Sequence, residues 1–270
     1  LALYVIHIFR KVQRKNYELK RTNIQVEQQR GELAVANRKI EQATTRKLQF
    51  FTNVSHEIKT PLTLILGPLN KISKELPPDS PLADDIHIIK KNADRLKRVV
   101  SQLLDFRKVE SNKMDMRVAE IDLVTFIEDI SSYFDNMAQS KQIQYSFQHD
   151  VSSVMLWVDT DKMEKILANL LSNAFKFTPD GGTVTIRLQD HAGYVILSVE
   201  DNGKGIQPQN LSSVFDQFFT ADHLTGTGIG LHLTHEFVGM HKGSIRVESE
   251  PGKRTVFLVE LPKGKSHFDE

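Results

Sequence analysis

The chain of 270 residues has no cysteine, which excludes disulfides, thiolate catalysis and cysteine-based zinc sites. Lysine and arginine (35) nearly balance aspartate and glutamate (34), and a formal net charge of +1 gives no basis for direct nucleic-acid binding. No Gly-x-Ser-x-Gly elbow is present, and Ser55-His56-Glu57 is not a hydrolase triad, because successive helical side chains do not face one another. There is no initiator methionine before Leu1, which suggests a fragment. The apolar opening from Leu1 to Phe9 falls short of the roughly 20 residues that span a bilayer. With Arg10, Lys11, Arg14 and Lys15 behind it, this opening reads either as the inner end of a truncated transmembrane helix or as a short amphipathic extension.

What is present is concentrated in a few segments. Phe51-Thr52-Asn53-Val54-Ser55-His56-Glu57-Ile58-Lys59-Thr60-Pro61-Leu62 sets an imidazole next to an acid within an amphipathic run. Thr60 lies four residues on, on the same helical face. Pro61 lacks a backbone donor and crowds the carbonyl of Glu57, which predicts a bend. An imidazole with a hydroxyl beside it on a deformable helix suits phosphoryl transfer.

Three downstream segments suit a nucleotide. Asn169 and Asn173 share a helix face, where neutral oxygens would help hold a Mg²⁺ that keeps its other ligands as water and phosphate. Lys176 supplies a point charge for phosphate. Taken alone, the same residues would make an ordinary polar helix face. Val199-Glu200-Asp201-Asn202-Gly203-Lys204-Gly205-Ile206 runs an apolar strand into a glycine turn. An ionised Asp201 accepts hydrogen bonds only, which favours the adenine amine over the guanine carbonyl; Asp-Asn-Gly is also a common turn. Gly226-Thr227-Gly228-Ile229-Gly230-Leu231 opens a helix, where backbone N–H groups face phosphate oxygens. It does not follow a strand in a βαβ unit, which argues against a Rossmann site.

In this order the motifs resemble the sensor histidine kinases of two-component signalling. Residues 46–111 are similar to the dimerisation and phosphotransfer hairpin. Residues 118–263 are similar to the catalytic ATP-binding domain shared with gyrase, MutL and heat-shock chaperone ATPases. The resemblance implies His56 as phosphoacceptor, Glu57 as its acid–base partner and Thr60 as the group positioning water for phosphatase activity. It implies Asn169 and Asn173 on Mg²⁺, Lys176 on phosphate and Asp201 at adenine. Phe177, Gly203, Gly205, Ile206, Gly226, Thr227, Gly228, Ile229, Gly230 and Leu231 would frame the ATP. Val214-Phe215-Asp216-Gln217-Phe218-Phe219 resembles the phenylalanine box that hinges the ATP lid, with Phe215 at the nucleotide. Gln217 replaces the basic residue usual there, the lid from Phe219 to Gly226 is short, and Thr225 stands where a glycine is common. These departures bear on catalytic rate more than on ATP binding. A narrower likeness, through Thr63-Leu64-Ile65-Leu66-Gly67-Pro68-Leu69, is to hybrid sensors of polysaccharide use in Bacteroidetes.

The expected organisation is α+β: the end of a membrane helix (1–10), a coiled-coil signalling helix (11–45), the hairpin (46–111), a linker (112–117), the ATP-binding sandwich (118–263) and a tail (264–270). Val5, Val12, Leu19, Val26, Leu33 and Ile40 recur every seven residues, with Ala36 and Ala43 at the alternate position and Thr22 and Gln29 interrupting it. Leu48, Phe51, Ile58, Leu62, Ile65, Leu69 and Ile72 form one hairpin stripe. Ile86, Ile89, Ala93, Leu96, Val100, Leu103 and Leu104 form the other, and Leu76 to Pro81 separates them. Two copies would bury these stripes in a four-helix bundle. A helix is expected over Leu123–Met137, with strands at Ile143–Phe147, Thr183–Leu188, Tyr194–Val199, Ser244–Val247 and Thr255–Leu261. The lid is expected over Gln207–Thr225. His232 and His235 lie three apart without an evident third ligand, which favours a surface or lid-edge role over a metal site. The expected partners are a second copy and a response-regulator receiver domain. The expected setting is the cytoplasmic side of an inner membrane. A phosphatase-dominant or docking module is the alternative, and a clamp ATPase of the gyrase or MutL type lacks the phosphoacceptor hairpin.

Overall fold

The computed structural model describes residues 10, 13–15, 19–20, 27, 29–31, 58–73, 77, 80, 82–111, 113–220 and 227–268. It divides into Leu1–Glu57 and Ile58–Glu270. In the first unit the described residues are helical and exposed, with Arg30 and Glu27 paired at 3.3 Å. Of the heptad seam only Leu19 and Gln29 lie among them. His56, Glu57 and Gly226 lie outside the described residues, and so does the Glu57 carbonyl against which Pro61 is expected to bend the helix.

The second unit opens with α1 (58–73) and α2 (Ala83–Glu110). Leu62, Leu66 and Ala93 pack together. Within the single chain Leu62, Leu66 and Leu69 are buried, the first and last of them on the expected stripe, while Ile58, Ile65 and Ile72 remain exposed, as do Ile89 and Leu96 of α2. Spacings of four and three residues turn one narrow seam toward α2. The remaining apolar positions keep a second face open.

From residue 113 the chain builds an α/β sandwich. Strand β1 (Val118–Asp122) leads into α3 (Leu123–Ser132) and α4 (Asp135–Ser140). Then come β2 (Gln144–His149), β3 (Met155–Asp159), α5 (Thr160–Phe177), β4 (Thr183–Asp190) and β5 (Tyr194–Asp201). A 3₁₀ turn at Pro208–Asn210 precedes α6 (Gly230–Met240), β6 (Ser244–Glu250) and β7 (Arg254–Pro262). The main sheet has the order β2-β4-β5-β7-β6, parallel only between β2 and β4. Strands β1 and β3, neither anticipated, form a separate antiparallel pair. Leu123, Ile127, Ile166, Leu170, Phe175, Leu233 and Phe237 of the helices join Val184, Leu197 and Val259 of the sheet in one core.

The helix expected over Leu123–Met137 breaks at Tyr133–Phe134. Ser131 and Ser132 donate their hydroxyls back to the carbonyls of Glu128 and Asp129, at 2.9 and 2.7 Å, a local bonding mode that competes with the helical ladder. Phe134 stacks on Phe175 at 5.5 Å.

One buried cluster fixes the helices that matter below. The Asp159 carboxylate caps α5 by accepting from Lys162 N at 3.2 Å and also accepts from Arg117 N at 2.7 Å. Lys162 Nζ donates to that carboxylate at 2.7 Å and to the Asp115 carbonyl at 2.6 Å. Burial pushes the Asp159 carboxyl up, but the bonds from Lys162 and Arg117 outweigh it and hold it below the usual carboxylate value. Asp159 N donates to His241 Nε2 at 3.0 Å, while His241 Nδ1 donates to the Phe237 carbonyl at 2.7 Å. His241 is therefore a neutral imidazole with both nitrogens committed, and burial lowers its pKa.

Replacing Lys162 with Ala strands the Asp159 charge in the core. The expected cost is about 3–5 kcal/mol, the scale for breaking a buried ion pair, measured by denaturant unfolding of the whole chain. A loss below about 1 kcal/mol, the scale of an exposed pair, would show that the cluster does not organise the domain.

Candidate nucleotide site

Helix α5 brings Asn169, Asn173, Lys176 and Phe177 along one side of its second half. Asn169 Nδ2 donates to Thr234 Oγ1 at 2.8 Å, and Thr234 donates to the Gly230 carbonyl at 3.0 Å. A Cβ on Gly230 would collide with Asn169 Oδ1, so the first residue of α6 sits directly on the carboxamide oxygen. Asn173 follows one turn later and is half-buried; Lys176 is exposed. The oxygens here are neutral carboxamides, a set that fits a Mg²⁺ retaining water and phosphate ligands.

Asp201 ends β5 and is 5% exposed. It lies opposite Thr255 of β7, a buried hydroxyl that sequence reading missed because it begins an otherwise ordinary apolar strand. Gly203 N donates to Asp201 Oδ1 at 2.9 Å. Burial and, less strongly, the neighbouring Glu200 charge push the Asp201 carboxyl up to about 6, against the lowering effect of the Gly203 bond. Gly203 is obligatory by space: a Cβ there would meet the Phe177 carbonyl and the Asp201 carboxylate. Gly205 has φ +69 and abuts the Glu250–Pro251 backbone. Ile206 N donates to Ser249 Oγ at 2.8 Å.

The phenylalanine segment lies at the other end. Val214 is buried, and Phe215 packs edge-on against Phe257. His232 Nδ1 lies 3.1 Å from the Phe215 carbonyl and His235 packs on the Phe215 ring, so both histidines stand at the lid edge. Phe218 has φ 61 and donates its N–H to the Gly228 carbonyl at 3.0 Å; Gly228 has φ +66 and presses on the Phe218 backbone. Gln217 is exposed. Ile229 enters the core and Leu231 packs on its margin.

The C-terminal turns of α2 dock against this end, a contact absent from the sequence reading. Phe106 is 1% exposed and meets Phe218 and His232 at ring distances of 5.5 and 5.6 Å. Thr227 Oγ1 donates to Gln102 Oε1 at 3.2 Å. Asp105 pairs with Lys165 of α5 at 2.9 Å. The only available signal was a phenylalanine off the α2 stripe.

A helical hairpin joined to a mixed-sheet sandwich, with a buried aspartate in a glycine turn and a glycine-led helix set on an asparagine, defines the class as a hairpin-linked ATP-binding domain. Residues 158–265 match the family model described as "Histidine kinase-, DNA gyrase B-, and HSP90-like ATPase", and residues 46–112 match that of the "His Kinase A (phospho-acceptor) domain". The chain belongs to the sensor histidine kinases. It is 39% identical over 245 residues to the sensor histidine kinase TmoS of Ectopseudomonas mendocina, covering 85% of this chain and 25% of that one. It is 33% identical over 245 residues to histidine kinase P4 of Formosa agariphila (88% and 18%) and 31% identical over 231 residues to YclK of Bacillus subtilis (83% and 48%). The chain thus spans less than half the length of each of these relatives. Among solved structures, the catalytic domain of the histidine kinase ThkA is 28% identical with a TM-score of 0.51, covering 55% of this chain and 99% of that one. Full-length ShkA shares the fold with a TM-score of 0.68 at 23% identity, covering 81% of this chain and 46% of that one.

A carboxyl of pKa about 6 gives opposite pH signs for binding and folding. If Asp201 accepts from adenine it must be ionised, so Mg²⁺–ATP affinity is expected to fall as pH drops through about 6. The raised folded pKa means that this group favours folding below its ordinary 3.8 and loses that contribution as pH rises through about 6. Asp201→Asn is therefore expected to weaken ATP binding by roughly 1.5–3 kcal/mol, to abolish the acid-side fall, and to leave the nucleotide-free melting temperature at pH 7.5 unchanged or raised. Titration calorimetry and thermal melts at three pH values check this. An unaltered acid-side fall in the Asn variant would contradict it.

Proposed function

We propose that the chain is the kinase core of a sensor, which transfers the γ-phosphoryl group of ATP to His56 and then to an aspartate of a response-regulator receiver domain. The observation that carries this reading is the buried Asp201, whose Gly203 turn abuts the Phe177 end of α5, the helix that also sets Asn169 against the glycine-led start of α6. That arrangement suits an adenine nucleotide with its phosphates toward α6. Asn169 and Asn173 would hold Mg²⁺, which when bound neutralises phosphate charge. Lys176 adds a positive point charge.

At His56, the unprotonated ring nitrogen attacks the γ-phosphorus. A nitrogen–phosphorus bond forms, the bond to the β,γ-bridging oxygen breaks, and ADP leaves. Glu57 accepts from the other ring nitrogen, fixing the tautomer and stabilising the imidazolium. Thr60 lies one helical turn on, in the exposed part of α1, and orients water toward an aspartyl phosphate.

The open apolar face of the hairpin supports a second copy as partner. Leu64 is 70% exposed and Ile88 is 55% exposed, with Ile65, Ile89 and Leu96 also open, more apolar surface than an isolated hairpin keeps in water. A relative, ThkA, 25% identical with a TM-score of 0.56 over 80% of this chain and 61% of that one, has been solved in complex with its response regulator, which supports a receiver domain as the other partner. Among the described residues no helix is long and apolar enough to cross a membrane. Attachment through a membrane helix ending near residue 10 rests on the apolar opening and its basic flank together with the resemblance, and the hybrid type rests on the resemblance alone.

A phosphatase-dominant module is the second reading. Gln217, the short lid and the Phe106 contact favour it, since a hairpin clamped to the catalytic domain restrains the movement that phosphorylation of His56 requires.

Transfer of ³²P from γ-labelled ATP to the chain is expected, with the label acid-labile and base-stable and lost in His56→Gln at nearly unchanged ATP affinity. Label persisting in that variant would move the acceptor elsewhere. Absent label in the unmodified chain, with receiver dephosphorylation intact, would favour the second reading.

Thr60→Ala is expected to retain autophosphorylation and to slow receiver dephosphorylation at least tenfold, the scale of a general acid–base or water-positioning group. Parallel loss of both activities would instead make Thr60 a helix-shaping residue.

A further inference from the structure

Lys204 lies between the two glycines that the turn after Asp201 requires. Its N–H donates to the Phe177 carbonyl at 3.3 Å, and its own carbonyl accepts from Gly252 N at 2.9 Å. The backbone on either side is equally fixed, because Gly203 is pressed between Phe177 and Asp201 and Gly205 holds a positive φ against Pro251. The fixed backbone sets where the side chain leaves the turn, and Lys204 itself is exposed. Its ammonium sits 4.7 Å from the centroid of the Phe177 ring.

Lys176 places a second ammonium 4.6 Å from the same centroid. Two like charges on one half-buried ring repel each other, so the pairing is not explained by the stability of the empty site. An exposed cation–π contact contributes little in water and gains strength when water is excluded. The Phe177 carbonyl and the Asp201 carboxylate both abut Gly203, so a base seated on Asp201 would cover the end of α5 that carries this ring. Lys204 is tied to the Asp201 turn by chain adjacency, whereas the glycines at Thr227–Gly230 lead into α6.

We propose that Lys204 is a positioning residue for the nucleobase: its ammonium holds the Phe177 ring in the orientation that flanks adenine at Asp201. This rests on the reading that Asp201 binds adenine. Lys204 touches the ring and not the phosphates, so it contributes equally to every adenine nucleotide.

The test uses the full chain with Lys204→Met, which keeps the stem and removes the charge, and Lys204→Arg, whose guanidinium still stacks on a ring. Titration with Mg²⁺–ATP and Mg²⁺–ADP is expected to show Lys204→Met weakening both by the same factor, roughly three- to tenfold, the range of a cation–π contact. Lys204→Arg should bind as the unmodified chain does. The KM for ATP in autophosphorylation should rise with kcat nearly constant. In a Phe177→Leu background Lys204→Met should have no further effect. A larger loss for ATP than for ADP would overturn the proposal in favour of a phosphate contact. An undiminished effect without the Phe177 ring, or no effect at all, would also overturn it. Asp201→Ala in parallel separates the two failures. If Asp201→Ala weakens ATP binding while Lys204→Met is silent, only the Lys204 assignment falls. If Asp201→Ala is silent, the adenine reading itself falls.

Discussion

The buried pair of Asp159 and Lys162 is the constraint on which the rest of the catalytic half depends. Four segments converge on it: the stretch before β1 through Arg117 and Asp115, the end of β3, the start of α5, and the end of α6 through His241. A buried ion pair is a poor source of net stability, because desolvation cancels much of the attraction. Its effect is directional. An uncompensated charge in the core is so unfavourable that α5 and α6 keep the one relative placement in which every donor and acceptor is met. At the opposite end Asn169, Thr234 and Gly230 lock the same two helices. Beyond the second fixed point, in the last turns of α5, lie Asn173, Lys176 and Phe177.

The Asp201 turn and the Thr227 segment are held by different physics. The Asp201 end is preorganised and water-poor. Its carboxyl is held near the edge of ionisation by burial, and Gly203 and Gly205 let the turn pack against the Phe177 and Glu250–Pro251 backbones. The Thr227 end is held by contacts that can be exchanged: one hydroxyl on Gln102, one aromatic edge from Phe106, and one ion pair from Asp105 to Lys165. Burial pushes the Lys165 ammonium down, yet Asp105 and Asp161 together hold it above its ordinary value. A site with one rigid end and one hairpin-coupled end suits an enzyme that must bind nucleotide stably and then reorient relative to its acceptor.

The motifs were legible because their chemistry restricts residue choice locally. Gly203, Gly205 and Gly228 stand where backbone approach or positive φ leaves no room for a side chain. The main-sheet strands lie where apolar runs placed them, most of them extending a residue or more beyond the expected bounds, while β2 begins one residue later. Other features depended on partners distant in sequence. Strand β1 carries two acids in five residues and exists through its pairing with β3, which runs straight into the α5 cap. The break after Ser132 depends on Phe134 finding Phe175, and the burial of Phe106 depends on Phe218. Burial of Leu66, off the expected α1 stripe, depends on Ala93 of α2. No periodicity within one segment encodes these choices.

The central claim is that nucleotide bound at Asp201 delivers its γ-phosphoryl group to an imidazole of this chain. Phosphorus NMR of the chain incubated with Mg²⁺–ATP tests it most directly. The account predicts a protein-bound phosphoramidate resonance that grows in step with ADP and collapses to inorganic phosphate on mild acidification. Accumulation of ADP and inorganic phosphate with no phosphoramidate at any time would contradict it and leave the chain a plain ATPase.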